Sequence, residues 1–254
     1  MKIAIVTGAS SGMGRQFVLQ IDKGNDLDEI WVVARRRERL LELTELCRAK
    51  IRPIALDLAD TVASVNSLRE TLAGEKPDVK ILVNASGFGK YGTYKDLTDK
   101  EICEMIDVND KAMVLVTYAA LEYMQRGARI ITLGSGSSFQ PLPEFNMYAS
   151  TKAFVLHFCR ALNVELKGRG ISVTCVCPGY VNTEFFRVAQ DTANPETCKN
   201  FTPLYEPEDV VAKALKDSKK GKDLSVLGFT PNFNRICGKL LPAKWVMATW
   251  MKIK

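Results

Sequence analysis

Thr7-Gly8-Ala9-Ser10-Ser11-Gly12-Met13-Gly14 is the stretch on which the reading of this chain turns. It follows Lys2-Ile3-Ala4-Ile5-Val6, a short apolar run of strand character, and it opens a helical pattern near residues 13–23. A glycine loop between a strand and a helix lets backbone N–H groups approach a pyrophosphate, and the helix N-terminus adds a partial positive charge. Gly8, Gly12 and Gly14 leave room for that approach. The bland rival is an ordinary turn before a helix.

Working outward, the chain alternates. Glu29 to Ala34 reads as a second buried strand, and Arg36 to Lys50 as a charged helix with Leu40, Leu43 and Leu46 as its apolar stripe. Ile51–Leu56 reads as a strand, Val62–Leu72 as a helix and Val79–Val83 as a fourth strand. A long helix is expected over roughly 99–125, then a strand at Ala128–Leu133 and a helix from the Tyr148 region to about Gly168. Ile171–Cys177 is a sixth strand, closed by Pro178-Gly179. Residues 180–206 look irregular, broken by Pro195 and Pro203; a helix over Glu208–Lys216 and a strand near Leu224–Leu227 follow. Apolar runs of four to six residues between helical patterns predict a single α/β domain, a doubly wound parallel sheet with helices on both faces. No linker, internal repeat or low-complexity tract divides residues 1–254.

The second informative stretch is Tyr148-Ala149-Ser150-Thr151-Lys152. If it starts a helix, Tyr148 and Lys152 share a face, because i and i+4 are neighbours on a helix surface. A Lys ammonium beside a phenol favours the phenolate and lowers a pKa that is about 10 when unperturbed. The phenol then becomes a usable acid or base near neutral pH.

With both motifs in this order, the chain resembles the short-chain dehydrogenase/reductase family, in its common subtype of roughly this length. The family pattern of glycines, Asn, Ser and Tyr-x-x-x-Lys falls on Gly8-x3-Gly12-x-Gly14, Asn109, Ser135 and Tyr148-x3-Lys152, with Ser135 thirteen residues before Tyr148. The resemblance implies a Rossmann-type sheet of about seven strands in the order 3-2-1-4-5-6-7. It also implies four catalytic roles. Tyr148 exchanges a proton with the substrate oxygen. Lys152 lowers the Tyr148 pKa and binds the nicotinamide ribose. Ser135 stabilises the oxygen where charge develops. Asn109 holds a helix kink and a water that links Lys152 to solvent. Ser137 and Ser138 are rival serines, and a plain polar helix position is the rival for Asn109, which lies between Asp107 and Asp110. His157 lies on the same helix as Tyr148 and reads as packing or interface.

The expected cofactor is NADP(H). An acidic residue at the end of the second strand would accept the ribose 2′-hydroxyl of NAD; Ala34 stands there, followed by Arg35, Arg36 and Arg37. A guanidinium suits a 2′-phosphate, and Arg35 is the first choice. By resemblance Ser10, Ser11 and Met13 of the loop, Asp57 with Leu58, and Pro178, Gly179, Val181 and Thr183 also border the cofactor. Asn84-Ala85-Ser86-Gly87 stands where the family has Asn-Asn-Ala-Gly; Ala85 keeps a backbone role but loses a side-chain one.

Composition limits the remaining choices. With 46% hydrophobic and 25% charged residues the chain is an ordinary globular protein, and a net charge of +6 is too mild to argue for nucleic acid. Its seven cysteines form no Cys-x-x-Cys pair and no Cys/His cluster, so no metal is expected, and scattered free thiols fit a cytoplasmic protein. No signal-peptide core and no apolar run of bilayer length is seen. The substrate loop region, 180–207, together with the loop after strand five, holds Phe139, Leu142, Phe145, Tyr180, Phe185, Phe186, Phe201 and Tyr205, which favours a bulky apolar carbonyl or alcohol. The tail, 235–254, is basic and amphipathic. Packing on a subunit or lidding the site is preferred for it over lying on a membrane. A homodimer or homotetramer is expected by resemblance. The alternatives are a reductase of a 3-oxoacyl-carrier-protein-like substrate, a non-catalytic NADP(H)-sensing regulator, and an epimerase or dehydratase.

Overall fold

Seven short, mostly apolar segments leave little choice but a sheet buried on both faces, and that sheet is the spine of the molecule. The computed structural model of the chain describes residues 1–24 and 26–254. Strands β1 (Lys2–Thr7), β2 (Glu29–Ala34), β3 (Lys50–Ala55), β4 (Asp78–Asn84), β5 (Arg129–Leu133) and β6 (Ser172–Val176) are joined by β9 (Leu224–Ser225). All pairings are parallel and the order is β3-β2-β1-β4-β5-β6-β9. This is the expected order; the last strand takes the ninth place because two short strands precede it. Those two, β7 (Tyr180–Val181) and β8 (Leu204–Tyr205), form a separate ribbon inside the region expected to be irregular.

Helices α1 (Gly12–Gly24) and α8 (Pro207–Lys219) cover one face of the sheet. Helices α3 (Thr61–Glu75), α5 (Met113–Leu121) and α6 (Asn146–Glu165) cover the other. Crossover helices on both faces explain why the strands read as continuous apolar runs.

Three expectations are corrected. The helix expected over residues 36–50 is only α2 (Arg37–Leu41) with a 3₁₀ turn, Glu42–Glu45, after it. Leu40 and Leu43 are buried as expected, but Leu46 is exposed. The reason lies in α1: the Asp22 carboxylate accepts from the backbone N–H of Arg48 and of Ala49 at 2.8–3.1 Å, drawing the chain off the helix and into β3. The long helix expected over 99–125 is α4 (Asp99–Ile106), one wide π-helical stretch, Asp107–Ala112, and α5. It stops at Leu121, where the chain turns so that Tyr123 O can accept from the Val79 N–H at the start of β4. Finally, residues 180–207 carry α7 (Phe185–Gln190) as well as the ribbon.

The tail is two helices, α9 (Phe229–Leu240) and α10 (Ala243–Ile253). They fold back over the loop that follows β5. The Trp250 indole donates to Pro143 O at 2.9 Å, and Lys254 pairs with Glu144. At Gly238 the approach is so close that a Cβ would sit 2.6 Å from Phe139 O.

Candidate active site

The carboxyl ends of the parallel strands, where sheets of this kind bind ligands, gather the predicted residues. The glycine loop leaves β1 with Gly8 at φ +67°, and a Cβ there would lie 2.7 Å from the Ala85 backbone. A Cβ on Gly14 would lie 2.2 Å from Gly8 O, so helix α1 seats directly on the turn. Gly12 faces Thr183: a Cβ at Gly12 would be 3.3 Å from its side chain. Thr7 ties this loop to the next strand: its Oγ1 accepts from Ala85 N at 3.1 Å and Ser86 N at 3.2 Å. Nothing local in the sequence marks Thr7; only the topology, which sets β1 beside β4, gives it this role.

Beside the loop, Arg36 donates to Ser10 Oγ at 3.3 Å and pairs with Glu184 at 3.1 Å. That pairing holds the Glu184 carboxyl below its usual range. Arg35 is exposed and makes no hydrogen bond or ion pair among the described residues. Asp57 is exposed too, and its Oδ1 accepts from Ala59 N at 3.1 Å. Leu58 is buried in the core. Asn84 turns inward, donating to Thr117 Oγ1 at 2.9 Å and Thr132 Oγ1 at 3.3 Å, so only its backbone faces the loops. The glycine cradle, the helix end and the arginines fit a dinucleotide carrying phosphate groups.

Tyr148 and Lys152 lie one turn apart near the start of α6 and are both buried. The Tyr148 ring stacks on Phe145 at 4.5 Å and meets Phe185 at 5.3 Å. Ser135 follows β5 in extended backbone, and its Oγ accepts from Ser137 N at 3.2 Å. Of the rival serines, Ser138 Oγ is spent on the Ser135 backbone N–H at 3.1 Å. Ser137 Oγ is buried, lacks a protein partner and borders the cavity.

The electrostatics differ from expectation. Burial pushes the Tyr148 phenol above its ordinary value, and a hydrogen bond with Ser135 works against this. Lys152 Nζ stands 5.7 Å from the Tyr148 ring centroid and donates to Leu133 O at 2.9 Å. Burial, and not the ammonium, sets the direction of the phenol's shift. Lys152 itself is held below its usual value by burial, opposed by the charge of Asp110. In the sequence Asp110 is marked only as a neighbour of Asn109. It is pushed up to about 7 by burial, with Lys152 pulling the other way.

Asn109 is not a plain polar helix position. It is 1% exposed inside the π-helical stretch. Its Oδ1 accepts from Phe88 N at 3.0 Å, and its Nδ2 donates to Phe88 O at 2.9 Å and Thr151 Oγ1 at 3.0 Å. His157 is exposed on α6. Cys175 and Cys177 are buried with their sulfurs 3.7 Å apart, and no metal-binding cluster exists among the described residues.

Above Ser135 and Tyr148 opens a cavity of about 530 Å³. Met13, Gly179, Val181 and Thr183 border it on the glycine-loop side, and α9 and α10 close it opposite. The two halves of the predicted site therefore meet at one space.

The family profile described as short chain dehydrogenase matches residues 2–194. The chain is 36% identical over 220 residues to sulfoacetaldehyde reductase 2 of Chromohalobacter salexigens, covering 82% of this chain and 84% of that one. It is 34% identical over 220 residues to the NADP-dependent 3-hydroxy acid dehydrogenase YdfG of Shigella flexneri, covering 82% and 85%. A short-chain dehydrogenase of Sphingobium yanoikuyae in complex with NADPH superimposes with a TM-score of 0.78 at 24% identity, covering 94% of this chain and 93% of that one. This chain belongs to the short-chain dehydrogenase family and is an oxidoreductase of it.

Proposed function

We propose that this chain is an NADP(H)-dependent oxidoreductase that interconverts a neutral, bulky, apolar carbonyl compound and its secondary alcohol. The carrying observation is the cavity lining. Leu142, Phe145, Phe185, Phe186, Trp245 and Trp250 dominate it, and no charged side chain borders it among the described residues. A carboxylate or sulfonate placed there would find no cation, and burying an unpaired ionised group is expensive. This argues against the anionic compounds that the relatives' names indicate. For the cofactor, Ala34 in place of an acid and the unpaired Arg35 support NADP(H), as do the NADP dependence in one relative's name and the NADPH bound to the similar structure.

A bound nicotinamide would give or take the hydride. Tyr148 holds the proton exchanged with the substrate oxygen, and Ser135 Oγ donates a hydrogen bond to that oxygen. Lys152, with one of its three donors on Leu133 O, keeps two for the ribose and for proton exchange. Asn109 acts through the backbone it clamps at Phe88. A non-catalytic sensor has no observation in its favour, since Ser135 and Tyr148 stand together under an open cavity. The seven free cysteines suit a cytoplasmic protein. Tyr118, Phe154 and Val164, exposed on α5 and α6, suit a homodimer or homotetramer.

The test is a panel of bulky neutral ketones, 3-oxoacyl thioesters, small polar aldehydes and 3-oxo acids, followed by NADPH absorbance. Turnover should be confined to the neutral apolar members; a preference for the acids would refute the reading. Tyr148→Phe should lower turnover by about 10²–10⁴-fold with NADPH binding near normal. Residual activity above about a tenth of wild type would remove Tyr148 from its role.

A further inference from the structure

Helix α9 carries an apolar stripe on its outer face. Phe229, Phe233, Ile236 and Leu240 recur at the 3.6-residue helical period, and all four are exposed. Phe229 is 82% exposed and Leu240 is 74% exposed, whereas an amphipathic helix of an isolated protein turns such a stripe inward. Leu241, Trp245, Met251 and Ile253 extend the exposed apolar surface along α10. The inward work is done by other residues, Trp250 and Pro231, which are buried. The hairpin is therefore anchored and apolar on its free side at once.

Its charge is as one-sided as its exposure. Between Phe229 and Lys254 there are five basic residues and no acidic one, in a chain of net charge +6. Lys254 pairs with Glu144. Arg235, Lys239, Lys244 and Lys252 make no ion pair among the described residues. A second copy docked on this face through a twofold axis would set two such basic surfaces against each other, and like charge disfavours that contact. An anionic lipid surface is complementary on both counts: it takes apolar side chains at its acyl boundary and basic ones at its headgroups.

We propose that the α9–α10 hairpin docks this protein on an anionic membrane surface, lying in the interface and spanning nothing. The preference for a packed, lidding tail is thereby kept for the inner face and reversed for the outer one. The position of the cavity adds a reason. Phe233, Leu241, Trp245 and Ile253 line it and remain about half exposed, so its mouth lies at the docking face. An apolar ligand could then pass between bilayer and cavity without crossing water. Docking itself does not rest on the proposed chemistry, and the test below needs no turnover.

The probe is vesicles of phosphatidylcholine, with or without about a third phosphatidylserine, sedimented with the full chain. Binding is expected to the anionic vesicles, weak on the neutral ones, and reduced when salt rises from about 0.1 M to about 1 M. Phe229→Glu with Leu240→Glu, two positions outside the cavity lining, should weaken binding by more than about tenfold. Lys239→Gln with Lys244→Gln should weaken it on anionic vesicles while NADPH binding is retained, which guards against misfolding of the first variant. Equal binding by both variants and wild type, or no binding at all, would overturn the proposal. So would a doubled mass by light scattering that Phe229→Glu with Leu240→Glu abolishes, which would give the stripe to a second copy.

Discussion

Replacing Asp110 by Asn should stabilise the protein, and increasingly so as pH rises. Asp110 stands behind Lys152, its Oδ1 is buried, and that oxygen has no hydrogen-bond partner in the protein. Burial lifts its pKa from 3.8 to about 7 even though the Lys152 charge opposes the change. For an acid whose folded-state pKa lies above its unfolded one, stability is full below the unfolded value and is lost as pH rises through the folded one. Going from 3.8 to about 7 is roughly three powers of ten in proton affinity, about 4 kcal/mol as a ceiling. Asp110 is only partly buried, and solvent screening brings this to about 2 kcal/mol. For a domain of this size each kcal/mol moves Tm by about 2–4 °C, so the expected gain is about 4–8 °C at high pH. The assay is a set of thermal melts of wild type and Asp110→Asn at about pH 3.5 and about pH 8.5, which bracket the interval from 3.8 to about 7. The two proteins should melt close together at the lower pH and apart at the higher. A constant offset, or a gap that narrows as pH rises, would show that Asp110 is not a strained buried acid. The Asp107–Lys111 ion pair on the same stretch is common to both proteins and cancels.

Three further outcomes follow from the site. Wild type should bind NADPH at least about tenfold more tightly than NADH, and Arg35→Asp should narrow or invert that gap through like-charge repulsion; equal affinities in wild type by fluorescence titration would remove Arg35 from phosphate recognition. Lys152→Met should damage both turnover and NADPH binding, whereas Tyr148→Phe damages turnover alone; intact NADPH binding by Lys152→Met would deny the ribose role. Light scattering at micromolar concentration should give a multiple of 28.2 kDa, and Tyr118→Glu with Phe154→Glu should return it to one chain; a wild-type mass of one chain would refute assembly through α5 and α6.

The parts legible in the sequence were those set by local rules. Apolar runs fixed the strands within a residue or two, because a parallel sheet covered on both faces tolerates little else. Gly8, Gly12 and Gly14 announced a backbone approach that the structure shows as contacts no Cβ would survive at Gly8 and Gly14. Tyr148 and Lys152 were paired by helical spacing alone. What stayed hidden depends on partners distant in sequence. The early end of α2 is decided by Asp22, 26 residues before Arg48. The π-helical stretch is locked by Asn109 on Phe88, and Asn109 looked like any polar helix residue until its burial was known. The elevated Tyr148 pKa follows from burial under Phe145 and Phe185, which a spacing argument cannot weigh. Amphipathicity of the tail was visible, but which of its faces meets the protein was not.

The hydrogen bonds of Thr7 and Asn109 bear on how the site survives the motions around it. The amides of Ala85 and Ser86 donate to Thr7, and that of Phe88 to Asn109, although all three sit in a loop. In hydrogen–deuterium exchange, loop amides ordinarily open with free energies near zero, while amides locked into a core open only with the whole domain. These three are fastened to the end of a central strand and to the buried Asn109, so their exchange should follow that of the sheet. The tail helices rest on fewer buried side chains and keep a faster clock. The floor of the candidate site is therefore tied to the sheet and not to the hairpin above it, so an opening of the hairpin alone would leave the site built.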